Sequence, residues 1–203
     1  CYASLLDGKH MSYFLLYFFF YLANGPLEGL LAALFAQSGI SMTRFGFFRA
    51  WASASFLLLP GLVATMAARG RKHLCGFGIT GFLLGVLGGI LAPLAGHWAV
   101  TVYASGYAIL LGRRVFNASL GGALGFGVEA GLRGGYFAWR DLFLLGGDAA
   151  GKGLAGLLLA WAGLDLAWSF PILSSAFLFC CALALFMARK DYLPVFQGMA
   201  DKK

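Results

Sequence analysis

Long apolar runs with few charges dominate the chain, and the first dense one is MSYFLLYFFF at Met11–Phe20. Runs of similar density recur as far as Met187, and about 20 apolar residues are enough for a helix to cross the roughly 30 Å hydrocarbon core of a bilayer. No alternation of apolar and polar residues appears, which disfavours a membrane barrel. The pattern predicts an all-α bundle of six transmembrane helices. The predicted spans are about Met11–Ala36, from after Gly39-Ile40-Ser41 to about Ala68, Leu74–Leu94, Trp98–Phe126, Tyr136–Trp161 and Leu166–Ala188.

Composition excludes a sizeable soluble domain. Hydrophobic residues make up 61% and charged residues 11% of the 203 residues, whereas a soluble domain carries about 25% charge. A soluble core of this length could not hide so much apolar surface. We therefore divide the chain into an N-terminal segment (1–10), a transmembrane domain (11–190) and a cytoplasmic tail (191–203).

The formal net charge of +7 comes from basic residues at predicted helix ends, so anionic lipid headgroups are the expected partners and nucleic acid is not. The loops divide by charge, and Lys and Arg near helix ends favour the cytoplasmic side. The division predicts that both termini are cytoplasmic, and we expect a multi-pass protein of the bacterial inner membrane. One side holds Lys9, Arg69, Arg71, Lys72, Arg133, Arg189, Lys190, Lys202 and Lys203; the other holds Arg44, His97 and Asp165.

Polar residues inside the spans are the candidate functional residues, because charge at bilayer depth is costly and usually faces a bundle interior or a wet cavity. At 100° per residue they form stripes on the first and fourth spans. Arg113 lies about 100° around its helix from Arg114. The predicted substrate or ion pathway consists of Tyr21, Asn24, Glu28, Tyr107, Arg113, Arg114, Asn117, Asp148 and Lys152. Tyr13, Tyr17, Tyr103 and Gly121 complete the stripes, and the second span adds Arg49 and Ser53.

Purely structural interpretations compete with the functional interpretation at several of these positions. Tyr13 and Tyr17 fit an interfacial aromatic belt as well as an interior stripe. Asp148 and Lys152, four residues apart, fit a self-neutralising structural pair as well as a pathway. Arg49 is close enough to a helix end for snorkelling to be favoured.

Glu28 and Arg114 are harder to explain as structural residues, because each lies well inside its span on a polar stripe. We expect them to face one shared polar cavity, close enough to interact. Small residues four apart, such as Gly147 and Gly151, predict close helix packing. Pro26 after Asn24-Gly25 predicts a kink in the first span.

The sequence shows few residues in arrangements that support enzyme catalysis. The three histidines, His10, His73 and His97, lie at helix ends, and none has a cysteine or carboxylate at ligand spacing. The run Gly146–Gly153 lacks the preceding strand and the Gly-Lys-Ser/Thr ending of a phosphate loop. We therefore predict no enzymatic activity, no metal site and no cofactor.

The loop after the second span carries a resemblance to a known family. Gly61-Leu62-Val63-Ala64-Thr65-Met66-Ala67-Ala68 leads into Arg69-Gly70-Arg71-Lys72. This resembles the basic loop signature of the major facilitator superfamily, in which a glycine and a later aspartate-arginine pair precede glycine-arginine-arginine or lysine. Here Ala67 occupies the aspartate position. The length and the expected cytoplasmic termini are also similar to one six-helix half of such a transporter.

The resemblance implies secondary transport by alternating access, with residues 69–72 as a conformational loop. A complete transporter has two halves, so the chain is expected to work with a second copy or a second membrane subunit. Basic residues in the pathway outnumber acidic ones, which favours a small anionic solute. The alternative is a non-transporting structural or accessory subunit of a larger membrane complex, whose polar stripes hold partner helices, a lipid or a pigment.

Overall fold

A computed structural model describes residues 8–92, 98–125, 130–161, 163, 172–173 and 175. This part of the chain contains α- and 3-10 helices and no strand, which confirms the all-α prediction for it. The predicted sixth span, Leu166–Ala188, lies outside the described residues except for Ile172, Leu173 and Ser175, and the tail lies outside them altogether. The α-helices are α1 (Gly8–Gln37), α2 (Met42–Ser55), α3 (Leu59–Ala68), α4 (Arg71–Leu91), α5 (Ala99–Gly125) and α6 (Arg133–Trp161).

Three helical stretches in this part of the chain are long and apolar enough to cross a membrane: Tyr13–Gln37, Met42–Ala68 and Arg133–Trp161. Gly76–Leu91 is apolar but shorter. Length and hydropathy therefore support a membrane protein and three of the six predicted spans. Large apolar side chains point outward on these helices, and Leu57 and Trp161 are 79% and 87% exposed. Such exposure suits contact with lipid tails and not with water.

Two glycines with positive φ set the turns at the ends of the first two spans. Gly39 has a φ of 72°, and the amide of Ile40 donates back to the Phe35 carbonyl at 3.0 Å, which caps the end of α1. Gly70 has a φ of 113° and a ψ of 160° and precedes α4. L-amino acids with a side chain rarely adopt either conformation. The chain therefore reverses at both positions without a long loop.

The second span is interrupted where the sequence places Pro60. Helix α2 ends at Ser55, a 3-10 turn covers Phe56–Leu58, and α3 begins at Leu59. Pro60 thus lies in the first turn of α3, where a helix lacks partners for its amides in any case. Pro26 behaves differently, because α1 is a single α-helix through it.

Contacts between the helices show that the first predicted span runs antiparallel to the fourth and parallel to the fifth. Helices α1 and α5 are antiparallel, because Phe20 stacks on Phe116 whereas Phe35 packs on Tyr103. Helices α1 and α6 are parallel, since Phe14 stacks on Phe143 and Gly151 lies against Leu22. An up-and-down membrane bundle requires this alternation for its first and fifth spans.

Glycine allows two of these helix pairs to approach closely. A Cβ added at Gly147 or Gly151 of α6 would collide with the carbonyls of Phe18 and Leu22 on α1. Pro26 leaves that same Leu22 carbonyl without its usual amide donor, so Gly151 covers a freed backbone group. On the other side of the bundle Gly112 of α5 lies against Gly85 of α4 in the same way. The prediction of glycine-mediated packing is confirmed for α6.

Helix α1 occupies the centre of the described bundle. One buried cluster surrounds its first half, and a second surrounds its second half. The first includes Phe14, Tyr17, Phe20, Phe116 and Tyr136, and the second includes Leu27, Leu31, Phe35, Phe48 and Ile109. The charged residue Glu28 lies where the two clusters meet along α1.

Candidate functional site

Arg113 on α5 joins two carboxylates that belong to two other helices. Its Nη1 donates to Oε2 of Glu28 on α1, and its Nη2 donates to Oδ1 of Asp148 on α6 at 3.3 Å. The guanidinium suits this role, because it presents several donors in a fixed fork. The side chains of Arg113, Asp148 and Glu28 are only 17%, 16% and 23% exposed.

Two further cations complete what we call the charge network: Glu28, Arg49, Arg113, Asp148 and Lys152. Arg49 of α2 donates to Oε1 of Glu28 at 3.0 Å. Lys152 of α6 donates to Oδ2 of Asp148, one helical turn away. The network contains three cations and two carboxylates, so it carries one net positive charge. It links α1, α2, α5 and α6.

The network lies near the middle of its helices. Arg113 is the fifteenth of the 27 residues of α5, and Asp148 is the sixteenth of the 29 residues of α6. Glu28 is the sixteenth of the 25 residues of the apolar stretch Tyr13–Gln37. A lone charge at such a depth costs several kcal/mol. Mutual pairing offsets that cost and makes the three central groups depend on one another.

Backbone packing places the acidic residues around Arg113. A Cβ added at Gly25 of α1 would lie 3.2 Å from the Asp148 Cα, so glycine leaves room for Asp148 beside α1. On α5, Arg113 shares one face with Ile109 and Phe116, four residues before it and three after it. Both are buried, so this face points into the bundle.

Two polar residues of α1 line the approach to the network. The ring of Tyr21 lies 4.5 Å from the Arg113 guanidinium carbon, a cation–π arrangement. Asn24 follows one turn later and is 1% exposed. Neither polar atom of its side chain has a hydrogen-bond partner among the described residues. The predicted stripe Tyr21, Asn24, Glu28 therefore faces the interior.

The expected pairing of Glu28 with Arg114 is wrong. Arg113 pairs with Glu28, whereas Arg114 is exposed and points to a different side of α5. The physical reason is the rotation of α5, which aims Ile109, Arg113 and Phe116 at the interior. The sequence stripe had placed Arg114 there instead, about 100° away.

Arg114 lines a groove between α5 and the second span, which we call the Arg114 groove. Its volume is about 630 Å³. Asn117 lies one turn from Arg114 on the same wall. The side-chain oxygen of Asn117 is buried and has no hydrogen-bond partner among the described residues. The described lining consists of Ser53, Phe56, Leu57, Leu59, Pro60, Val63, Ala64, Arg114, Asn117 and Ala118.

Other predicted residues lie apart from the charge network. Tyr107 shares a hydrogen bond of 3.0 Å with Ser55 and packs on Trp51, so it joins α5 to α2. In the loop segment 69–72, Arg69 is exposed at the end of α3 and Gly70 forms the turn before Arg71 and Lys72 open α4.

Burial and contacts bear on three of the open alternatives. Tyr13 and Tyr17 are 5% and 0% exposed, so they belong to the interior stripe and not to a lipid-facing belt. Asp148 and Lys152 do pair along α6, as their spacing indicated. Arg49, which we expected to snorkel, reaches inward to Glu28. The sequence did contain a signal for this contact, because Glu28 has no basic partner on the first span and therefore needs a cation from another helix.

The described residues contain no group of three or more His, Cys, Asp or Glu side chains that could hold a metal ion. Comparison of the chain with protein-family models, curated proteins and solved structures finds no match.

Proposed function

We propose that this chain is a transporter-like membrane protein, equivalent to one half of a major facilitator superfamily transporter, that moves a small anionic solute. The charge network carries the proposal. It is at mid-depth, it joins four helices, and its central arginine contacts carboxylates on two of them. In alternating access one half rocks against the other around a site near the middle of the membrane, and the network would lie at that site.

The sign of the charge favours an anion. The network has one net positive charge, and Arg114 adds another on a neighbouring wall. None of the described carboxylates pairs with Arg114, since Glu28, Asp141 and Asp148 pair with other cations. An entering anion would therefore find a guanidinium that is not already neutralised.

A second copy or a second membrane subunit completes the site in this proposal. Lys152 and Arg49 are 51% and 40% exposed although they lie within apolar spans, and Arg114 is exposed at mid-helix. Facing lipid, these groups would be costly. A facing half would enclose them in a polar cavity. In the same proposal both termini are cytoplasmic and the protein is in a bacterial inner membrane.

Uptake into proteoliposomes tests the proposal. The chain, purified with whatever copurifies from native membranes, is reconstituted and offered radiolabelled acetate, lactate, succinate and phosphate. We expect uptake of at least one anion down its concentration gradient, abolished by Arg113→Gln. Arg44→Gln is the control, because it removes the same charge from an exposed position outside the network and the Arg114 groove. Absence of uptake for every anion would contradict the proposal.

The alternative is a non-transporting subunit, and one observation favours it. Each carboxylate of the network is already paired with two cations, as in an ion-pair network that only holds helices together. Under this alternative the chain copurifies in a fixed ratio with a larger complex. Arg113→Gln would then dissociate that complex in native mass measurements, and no anion would be taken up.

A further inference from the structure

The Arg114 groove differs in character from the charge network. Its described polar groups are the Arg114 guanidinium, the Asn117 amide and the Ser53 hydroxyl, and the remaining lining is apolar. A volume of about 630 Å³ falls within the range of about 300–1,000 Å³ that is usual for sites of organic ligands. A hydrated inorganic ion would leave most of this wall without a matching partner.

Arg114 is a cation without a counter-charge among the described residues. It is the sixteenth of the 27 residues of α5, it is exposed, and no described carboxylate pairs with it. A guanidinium at this depth is stabilised only by water, by a counter-charge or by reaching the interface. Asn117 lies one turn away on the same wall. Its buried side-chain oxygen is an acceptor and cannot bind an anion, so the Arg114 guanidinium is the group that marks one end of the groove as a polar recognition site.

We infer that the Arg114 groove binds a single-chain anionic amphiphile, such as an alkyl carboxylate. The carboxylate would accept hydrogen bonds from the Arg114 guanidinium, with the Asn117 amide nitrogen and the Ser53 hydroxyl as further donors. The alkyl chain would lie along Phe56, Leu57, Pro60, Val63 and Ala64. This inference goes beyond the proposed function, because it concerns an amphiphile held in the groove and not the small solute that would pass the charge network. Binding at equilibrium does not depend on transport.

Photolabelling tests the inference. The full chain in phosphatidylcholine liposomes is irradiated with a twelve-carbon carboxylate that bears a diazirine on its alkyl chain, and labelled residues are located by mass spectrometry. We expect labelling within 56–64 and competition by dodecanoate. Arg114→Gln should weaken this competition about tenfold, because a hydrogen-bonded charge is lost. Arg114→Lys should retain most of it.

Two further variants separate the groove from general effects on the membrane. Ala64→Phe fills the apolar wall without changing charge and should reduce labelling. Arg44→Gln removes a cation outside the groove and should leave labelling unchanged. Both residues are exposed, so these substitutions leave the buried clusters intact.

Four results would overturn the inference. Equal competition by acetate or phosphate would show that the alkyl chain contributes nothing. Equal competition by dodecanol, with no effect of Arg114→Gln, would show an apolar groove without anion recognition. Equal competition by phosphatidylglycerol would assign the groove to a bilayer lipid. Absence of labelling within 56–64 would place the amphiphile elsewhere. Labelling as expected without anion uptake would refute only the proposed transport, whereas uptake of acetate without groove labelling would refute only this inference.

Discussion

Arg113 on α5 and Glu28 on α1 form an ion pair at the middle of the described bundle, and the same guanidinium reaches Asp148 on α6. Removing Arg113 would therefore leave two partly buried carboxylates with only their outer partners, Arg49 and Lys152. Removing Glu28 would leave Arg113 with one carboxylate. The three groups are interdependent, which is the physical basis of the predictions on stability and transport.

Close packing of α6 on α1 predicts a strong response to one added methyl group. Gly151→Ala would drive its Cβ into the Leu22 carbonyl, and such overpacking costs about 1–3 kcal/mol. Gly153→Ala is the matched control, since nothing lies within 4 Å of a Cβ there. Thermal unfolding in detergent should show a lower midpoint for Gly151→Ala only. Equal midpoints for the two variants would contradict the packing.

The turn before α4 predicts a second glycine effect with a different cause. Gly70 has a φ of 113°, so Gly70→Ala should cost about 1–3 kcal/mol through backbone strain, although the site is open. Gly76→Ala, inside α4 and equally open, should be neutral or slightly stabilising. The comparison uses the free energy of unfolding in detergent. If Gly70→Ala unfolded like Gly76→Ala, the turn would not require glycine.

The alternating directions of the spans predict which loops share a side of the membrane. In a variant without its native cysteines, Gln37→Cys at the end of α1 and Arg69→Cys at the end of α3 should lie on opposite sides. An impermeant thiol reagent should label Gln37→Cys in sealed cells, and Arg69→Cys only after permeabilisation. Labelling of Arg69→Cys from outside would reverse the proposed orientation.

Long apolar runs predicted the helices well, because a membrane span needs such a run whatever its neighbours are. The predicted Trp98–Phe126 corresponds to α5 at Ala99–Gly125, and Tyr136–Trp161 to α6 at Arg133–Trp161. The i, i+4 pair Asp148–Lys152 was also predictable, since one helix determines its geometry. Contacts inside a helix follow from sequence spacing alone.

The choice between Arg113 and Arg114 was not predictable in that way. The two residues are adjacent and chemically identical, and only the rotation of α5 against α1 decides which one reaches Glu28. That rotation depends on packing partners from other helices, including Phe20 against Phe116 and Gly112 against Gly85. Arg49 was missed for the same reason, because its partner belongs to another helix.

A double-mutant cycle on Glu28 and Arg113 tests the central claim most directly, with the free energy of unfolding in detergent as the measurement. Arg113→Gln should destabilise by about 3 kcal/mol, as expected when one partner of a largely buried pair is removed. Adding Glu28→Gln should then cost less than it does alone, with a coupling energy of about 1–3 kcal/mol. Arg114→Gln, the adjacent control, should not lower stability, because it breaks no ion pair among the described residues. Additive effects of Glu28→Gln and Arg113→Gln, together with equal losses for Arg113→Gln and Arg114→Gln, would contradict the charge network.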